Sequence, residues 1–207
     1  VLNDVLIADA SPAKTAYLYE NVDIANVVNH MALSTLMCHD DQRVQNFYMV
    51  LDADTQLWSI VEWDLDRTWV VASDGDGGAF TTPLSINHEL LNSVFEVPEF
   101  QAMYWRRMQT IVDKYLTNDD LIDRRDELVN QIGATNSTLE FQKWNRNDIF
   151  ANSYWADEWQ TAIDGRRDAF AAETRMPGSA SGSYNIVINE LHYNPLDGDA
   201  EFIELYN

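Results

Sequence analysis

The feature that most constrains this chain is a hairpin pattern set between two acidic clusters in residues 39–69. Phe47-Tyr48-Met49-Val50-Leu51 is apolar and strand-like, Asp52-Ala53-Asp54-Thr55 has turn chemistry, and Trp58-Ser59-Ile60-Val61 reads as the returning strand. A hairpin brings its two ends together, because the second strand runs back beside the first. Asp40, Asp41 and Asn46 precede the first strand, and Asp64 and Asp66 follow the second. Their oxygen donors are expected to meet at the open end. Carboxylates joined by an amide oxygen suit a hard cation such as Mg2+.

The rest of the chain is mostly helical by pattern. Residues 1–20 are mixed, and Pro12 is expected to break any early helix. Ile24, Val27, Val28, Met31 and Leu36 recur at helical spacing, with Asp23 placed as N-cap. That helix delivers the chain to His39. After Trp69, Val70-Val71-Ala72 is strand-like. Asp74-Gly75-Asp76-Gly77-Gly78 reads as a solvated loop; it lacks the third acid and the final Glu of an EF-hand. His88 to Val94 is a short helix, and Pro98 sits in the first turn of a longer one. In that longer helix Phe100, Met103, Tyr104, Met108, Ile111, Val112 and Tyr115 form the expected buried stripe. Thr117 to Asp120 caps a further helix that turns Leu121, Ile122, Leu128 and Ile132 inward and ends at Gly133. Another helical pair is expected across residues 140–174, where Arg166, Arg167 and Arg175 form a basic spot read as surface pairing with acids, with an anion site as the alternative. Residues 176–183 have linker composition, and from Tyr184 the period changes to that of strands.

Charge narrows the partners. Among 207 residues 34 are acidic and 13 basic, a net −21. Such a field repels nucleic acid and anionic membranes, and it repels ATP unless metal ions intervene. No nucleic acid and no membrane insertion are therefore expected; no apolar run reaches the roughly 18 residues of a membrane span. Cys38 is the single cysteine, which removes a disulfide framework and a Cys-based zinc site. No targeting leader is visible, and the abrupt start and finish suggest a fragment.

His39-x-Asp41-x-x-x-x-Asn46 has the H-x-D-x-x-x-x-N spacing of a kinase catalytic loop. In such a loop the Asp accepts the proton of the substrate hydroxyl and the Asn holds a metal ion; a second Asp beyond a hairpin, here Asp64, completes the pair. With Asn46-Phe47-Tyr48 and Trp63-Asp64-Leu65-Asp66, the chain over about residues 1–172 resembles the CotH kinase family, the spore coat protein H kinases. Ile186 to Asn207, with Ile-Asn-Glu-Leu-His-Tyr-Asn-Pro and Glu-Phe-Ile-Glu-Leu-Tyr-Asn, resembles the start of a lamin-tail domain.

The resemblance implies an α+β, atypical protein-kinase-like fold: a mainly helical C-lobe whose hairpin carries the active site, then the first strands of an Ig-like β-sandwich. The domains would be a kinase-like unit at 1–175, a linker at 176–183 and a truncated lamin-tail start at 184–207. It further implies ATP with Mg2+ or Mn2+, Ser or Thr on a protein as substrate, and a secreted or cell-surface bacterial setting. Asp41 would be the catalytic base, Asn46 and Asp64 would bind the metal–nucleotide, and Asp66 would support the metal. The sequence departs from ordinary kinases in having Trp-Asp-Leu-Asp for Asp-Phe-Gly. It also shows no strand–Lys–strand lobe; Lys14 is the only early lysine. The stretch is thus expected to be a C-lobe, inactive alone. A metal-dependent phosphoesterase using the same acids, and a noncatalytic surface or adhesion module with a kinase-like fold, are the alternatives.

Overall fold

Pro12 opens a helix instead of breaking one. In the computed structural model, which describes residues 6–39, 46–65, 68–69, 88–144, 154–178, 187–192 and 202–206, helix α1 spans Pro12–Asn21. Proline at the first helical position lacks only an N–H that would have had no intrahelical partner, and Ser11 caps the turn by accepting from the Lys14 amide at 3.2 Å. Lys14 is 2% exposed. Its Nζ donates to the carbonyls of Ala8 (2.7 Å) and Leu6 (3.1 Å) and lies 3.5 Å from a Glu96 carboxylate oxygen.

Helix α2, Ile24–Leu36, is the central element. Asp23 caps it as expected, accepting from the Asn26 amide at 2.9 Å. Ile24, Val27, Val28, Met31, Ala32 and Leu36 are buried along it. Strands β1 (Phe47–Leu51) and β2 (Trp58–Glu62) form the antiparallel hairpin, in register Phe47 with Glu62 through Leu51 with Trp58. Asp52 builds the turn by accepting from Thr55 N, Thr55 Oγ1 and Asp54 N, and these bonds hold its carboxyl below the usual carboxylate range. Helix α3 is Glu89–Glu96 and α4 is Pro98–Tyr115. Helix α2 packs on α3, α4 and β2.

Phe100, Tyr104, Met108 and Ile111 of α4 are buried in this core, as the stripe predicts. Met103 is not, being exposed, while Trp105 is buried. The stripe is broader on the Trp105 side because Arg175 covers that ring, its guanidinium 4.4 Å from the centroid. Helix α5 runs Asp120–Trp144 with a break at Gly133, whose φ of 73° and ψ of 149° no helix contains. Gly133 thus ends the first segment, but a second follows it at once. Leu121 and Ile122 pack on the core, whereas Leu128 and Ile132 are exposed, contrary to the inward reading. Along α5 only Ser137 is buried.

Helix α6, Tyr154–Ala171, returns Ile163 and Phe170 to the core. It also carries the largest correction. Arg166, read as a surface cation, is 1% exposed. Its Nη2 donates to the Thr35 carbonyl at 2.9 Å and its guanidinium lies 4.5 Å from the Phe170 ring centroid. Burial pulls its pKa down, opposed by nearby Cys38 and Tyr104. Arg167 fits the surface reading, bridging Asp164, Asp119 and the carbonyls of Leu116 and Asn118.

Residues 178–207 form a separate unit. In it β3 (Val187–His192) pairs antiparallel with β4 (Phe202–Tyr206), with a register shift between Ile188 and Glu190. The chain is mixed in class and mostly helical, and no helix among the described residues is long and apolar enough to cross a membrane. The strand-like Val70-Val71-Ala72 and the Asp74–Gly78 loop lie outside the described residues.

Candidate functional site

The end of α2 aims the chain at the hairpin. The Cys38 amide bonds the Thr35 carbonyl (3.2 Å) and the His39 amide bonds the Ser34 carbonyl (2.9 Å), with Cys38 at φ 51°. These two bonds and a left-handed residue between helix and loop are a Schellman ending, built here on a non-glycine residue. A side chain in that conformation costs about 1–2 kcal/mol. Two long-range bonds hold the turn: Arg166 reaches the Thr35 carbonyl, and the Trp69 amide reaches the Met37 carbonyl at 2.6 Å. Trp69 is itself buried against Trp159, centroids 5.3 Å apart. The chain segments before and after the hairpin are therefore tied together at the base of α2. His39 is fully buried there, and among the described residues neither ring nitrogen has a hydrogen-bond partner.

Helix α2 also grips β2 directly. Asn26 accepts from the Ile60 amide (2.7 Å) and donates to the Ile60 carbonyl (3.1 Å), standing where a third strand would pair. The Asp23 amide donates to the Trp58 carbonyl at 2.9 Å. One turn on from Asn26, His30 meets Glu62 through Nδ1 and Oε1. The ring of Phe47, opposite Glu62 in the register, packs edge-on between His30 (5.6 Å) and His88 (4.8 Å). Burial lowers the pKa of His88, and His30 nearby lowers it further.

At the open end of this hairpin stand Asn46 and Asp64. The Trp63 amide donates to the Asn46 carbonyl at 3.1 Å, extending the ladder one step beyond the strands. Asn46 Nδ2 lies 3.5 Å from the Asp64 carbonyl. Both residues have left-handed backbone, φ 68° and 54°. Asp64 is exposed and Asn46 half-buried. The antiparallel closure thus brings the Asn46 side chain to the backbone carbonyl of Asp64 and places the two residues side by side at the mouth. Asp41 and Asp66 lie outside the described residues, as does Asp40.

The donor set fits a particular kind of metal site. Among the described residues no group of three or more His, Cys, Asp or Glu side chains is arranged to hold a metal ion. An all-protein cage is therefore not formed by them. Mg2+ is commonly held by one or two carboxylates, with water and substrate phosphates filling the rest of its octahedron. An exposed Asp64 beside Asn46 matches that demand, and both donors are hard oxygens. Lys14 Nζ is already engaged by the Leu6 and Ala8 carbonyls and by Glu96.

Sequence reasoning passed over Asn26, His30 and Glu62. A signal was present: Asn26 and His30 are polar residues four apart on a helix face otherwise made of Val27, Met31 and their neighbours. The family model described as CotH kinase protein matches residues 2–169. No curated protein and no solved structure matches the chain.

Proposed function

This chain belongs to the CotH kinase family, and from that premise we propose that it carries the catalytic and metal-binding loop of an ATP-dependent kinase that phosphorylates Ser or Thr on a protein. The observation that carries the reading is the meeting of Asn46 and Asp64 at the hairpin mouth, in a segment that the family match spans. Asn46 and Asp64 hold Mg2+ or Mn2+ with the nucleotide phosphates, and Asp66 supports them. The metal supplies charge neutralisation for the transferring phosphoryl group, which a chain of net charge −21 otherwise lacks. Asp41 accepts the proton of the acceptor hydroxyl. What the protein contributes is placement and electrostatics, since phosphoryl transfer asks little covalent chemistry of it. On the same reading β3 and β4 open a sandwich of lamin-tail type, in a secreted or surface-attached bacterial protein.

The test separates the two roles. Replacing Asp64 by Asn removes the charge facing the metal and should abolish metal-dependent ATP binding by calorimetry; an unchanged affinity takes Asp64 out of the site. In the full-length protein, replacing Asp41 by Asn should lower kcat by about 10²–10⁴-fold while KM for ATP is kept. A variant that turns over at the wild-type rate ends the kinase assignment of this loop.

A further inference from the structure

We infer that His30 and Glu62 are positioning residues for the metal–nucleotide mouth, an inference that rests on the kinase reading above. Beyond Glu62 the chain loses apolar anchorage: Trp63, Asp64 and Leu65 are all exposed. Among the described residues, the last side-chain contact fixing β2 to the body before Asp64 is the one from Glu62 to His30. His30 sits on the rigid central helix and is itself buried, so it offers a fixed point. Its Nδ1–H donates to the Glu62 carboxylate, while its ring packs edge-on against Phe47, the residue after Asn46. One histidine therefore touches both strands next to the mouth, on the Asn46 side through Phe47 and on the Asp64 side through Glu62. Asn26, one helical turn earlier, fixes β2 two residues earlier. Helix spacing of four is matched to strand spacing of two, giving a two-point grip that sets where β2 ends and how Asp64 leaves it.

The geometry also separates this pair from ordinary core packing. Glu62 Oε2 and His30 Nε2 are buried without hydrogen-bond partners among the described residues. A pair of apolar residues would fill the same space without stranding polar atoms, so packing alone does not account for it. Groups that orient metal ligands from behind typically change metal affinity or activity 10–100-fold when removed.

The experiment compares Glu62→Ala, Glu62→Gln, Asp64→Asn and Tyr19→Phe in the full chain, by calorimetric titration with Mn2+ and ATP and by thermal melting. Tyr19→Phe loses only the remote bond to Glu99 and reports the effect of an unrelated lost contact. Glu62→Ala should weaken Mn2+-dependent ATP binding by about 10–100-fold. Glu62→Gln keeps the length and an acceptor for the His30 N–H, and should return affinity to within about twofold of wild type. Should Glu62→Ala fail to fold, His30→Gln is read in its place, with the same weakening expected. If Asp64→Asn abolishes binding while both Glu62→Ala and His30→Gln bind as wild type, the positioning role is wrong and the kinase reading stands. Weakening by Glu62→Ala that no larger than matches Tyr19→Phe also overturns it. If Asp64→Asn binds as wild type, the kinase reading falls and takes this inference with it.

Discussion

The helical body and the hairpin are held by different forces. In the body Leu18, Val27, Ala32, Val94, Phe100, Tyr104 and Met108 are all fully buried. In the hairpin Ile60 alone is buried, while Tyr48, Met49, Val50, Leu51 and Val61 are exposed although every one is apolar. Apart from Ile60 and Phe47, which pack on the core, the hairpin is fastened by polar contacts from one face of α2: Asp23, Asn26 and His30. Burial gives the body its stability, at roughly 25 cal/mol for each Å² of apolar surface removed from water. Polar fastening gives the hairpin its position. Damage to the first should unfold the domain, and damage to the second should move the site with little loss of fold.

The sharpest challenge to that division is Arg166, a polar residue placed in the body. Arg166→Ala removes a fully buried side chain, uncovers the Thr35 carbonyl and leaves Phe170 without its stacked partner. It should cost about 3–5 kcal/mol in denaturant unfolding. A cost no larger than that of Asn26→Ala would place Arg166 with the fasteners rather than the core. Next in size is Asn26→Ala, which strands both polar groups of Ile60. About 1–3 kcal/mol is expected, and amide exchange at Ile60 should rise at least about tenfold while Phe100 in α4 keeps its protection. Equal acceleration at both residues would show that hairpin and body open as one unit.

The smallest effect concerns pH. Burial, with His30 beside it, holds the folded-state pKa of His88 below its ordinary 6.5. The fold therefore binds fewer protons than the unfolded chain between the depressed pKa and 6.5. The stability this contributes is complete above 6.5 and is lost as pH falls from there through the folded value. Melting measured from pH 7.5 to 5 should fall less steeply for His88→Gln than for wild type. Parallel curves would mean that the His88 environment does not discriminate between its two protonation states.

The sequence makes some of this architecture legible because the cues are local. The turn at Asp52, the cap at Asp23 and the helix start at Pro98 each follow from side-chain chemistry within a few residues. The approach of Asn46 to Asp64 follows from hairpin closure alone. Pro12 misleads only if its ring is weighed without Ser11 before it, since Ser-Pro at a helix start is favourable. Arg166 is beyond local reading: its partner carbonyl is 131 residues away. Leu128 and Ile132 have the spacing of a buried stripe, but spacing does not tell whether a neighbour exists to receive it. His30 and Glu62 show the same limit, being ordinary residues until the register pairs Glu62 with Phe47.

The enclosed amine of Lys14 has a practical consequence. Lys14, Lys114 and Lys143 are the three lysines in these 207 residues. With Lys14 buried against the Leu6 and Ala8 carbonyls and Glu96, the other two are the lysine amines exposed to solvent, one at the end of α4 beside Tyr115 and one at the end of α5 beside Trp144. Lysine-directed acylation, coupling and lysine-specific proteolysis should act at those two helix ends. Immobilised through them, the domain would be tethered by its helices, with the hairpin carrying no attachment point of its own.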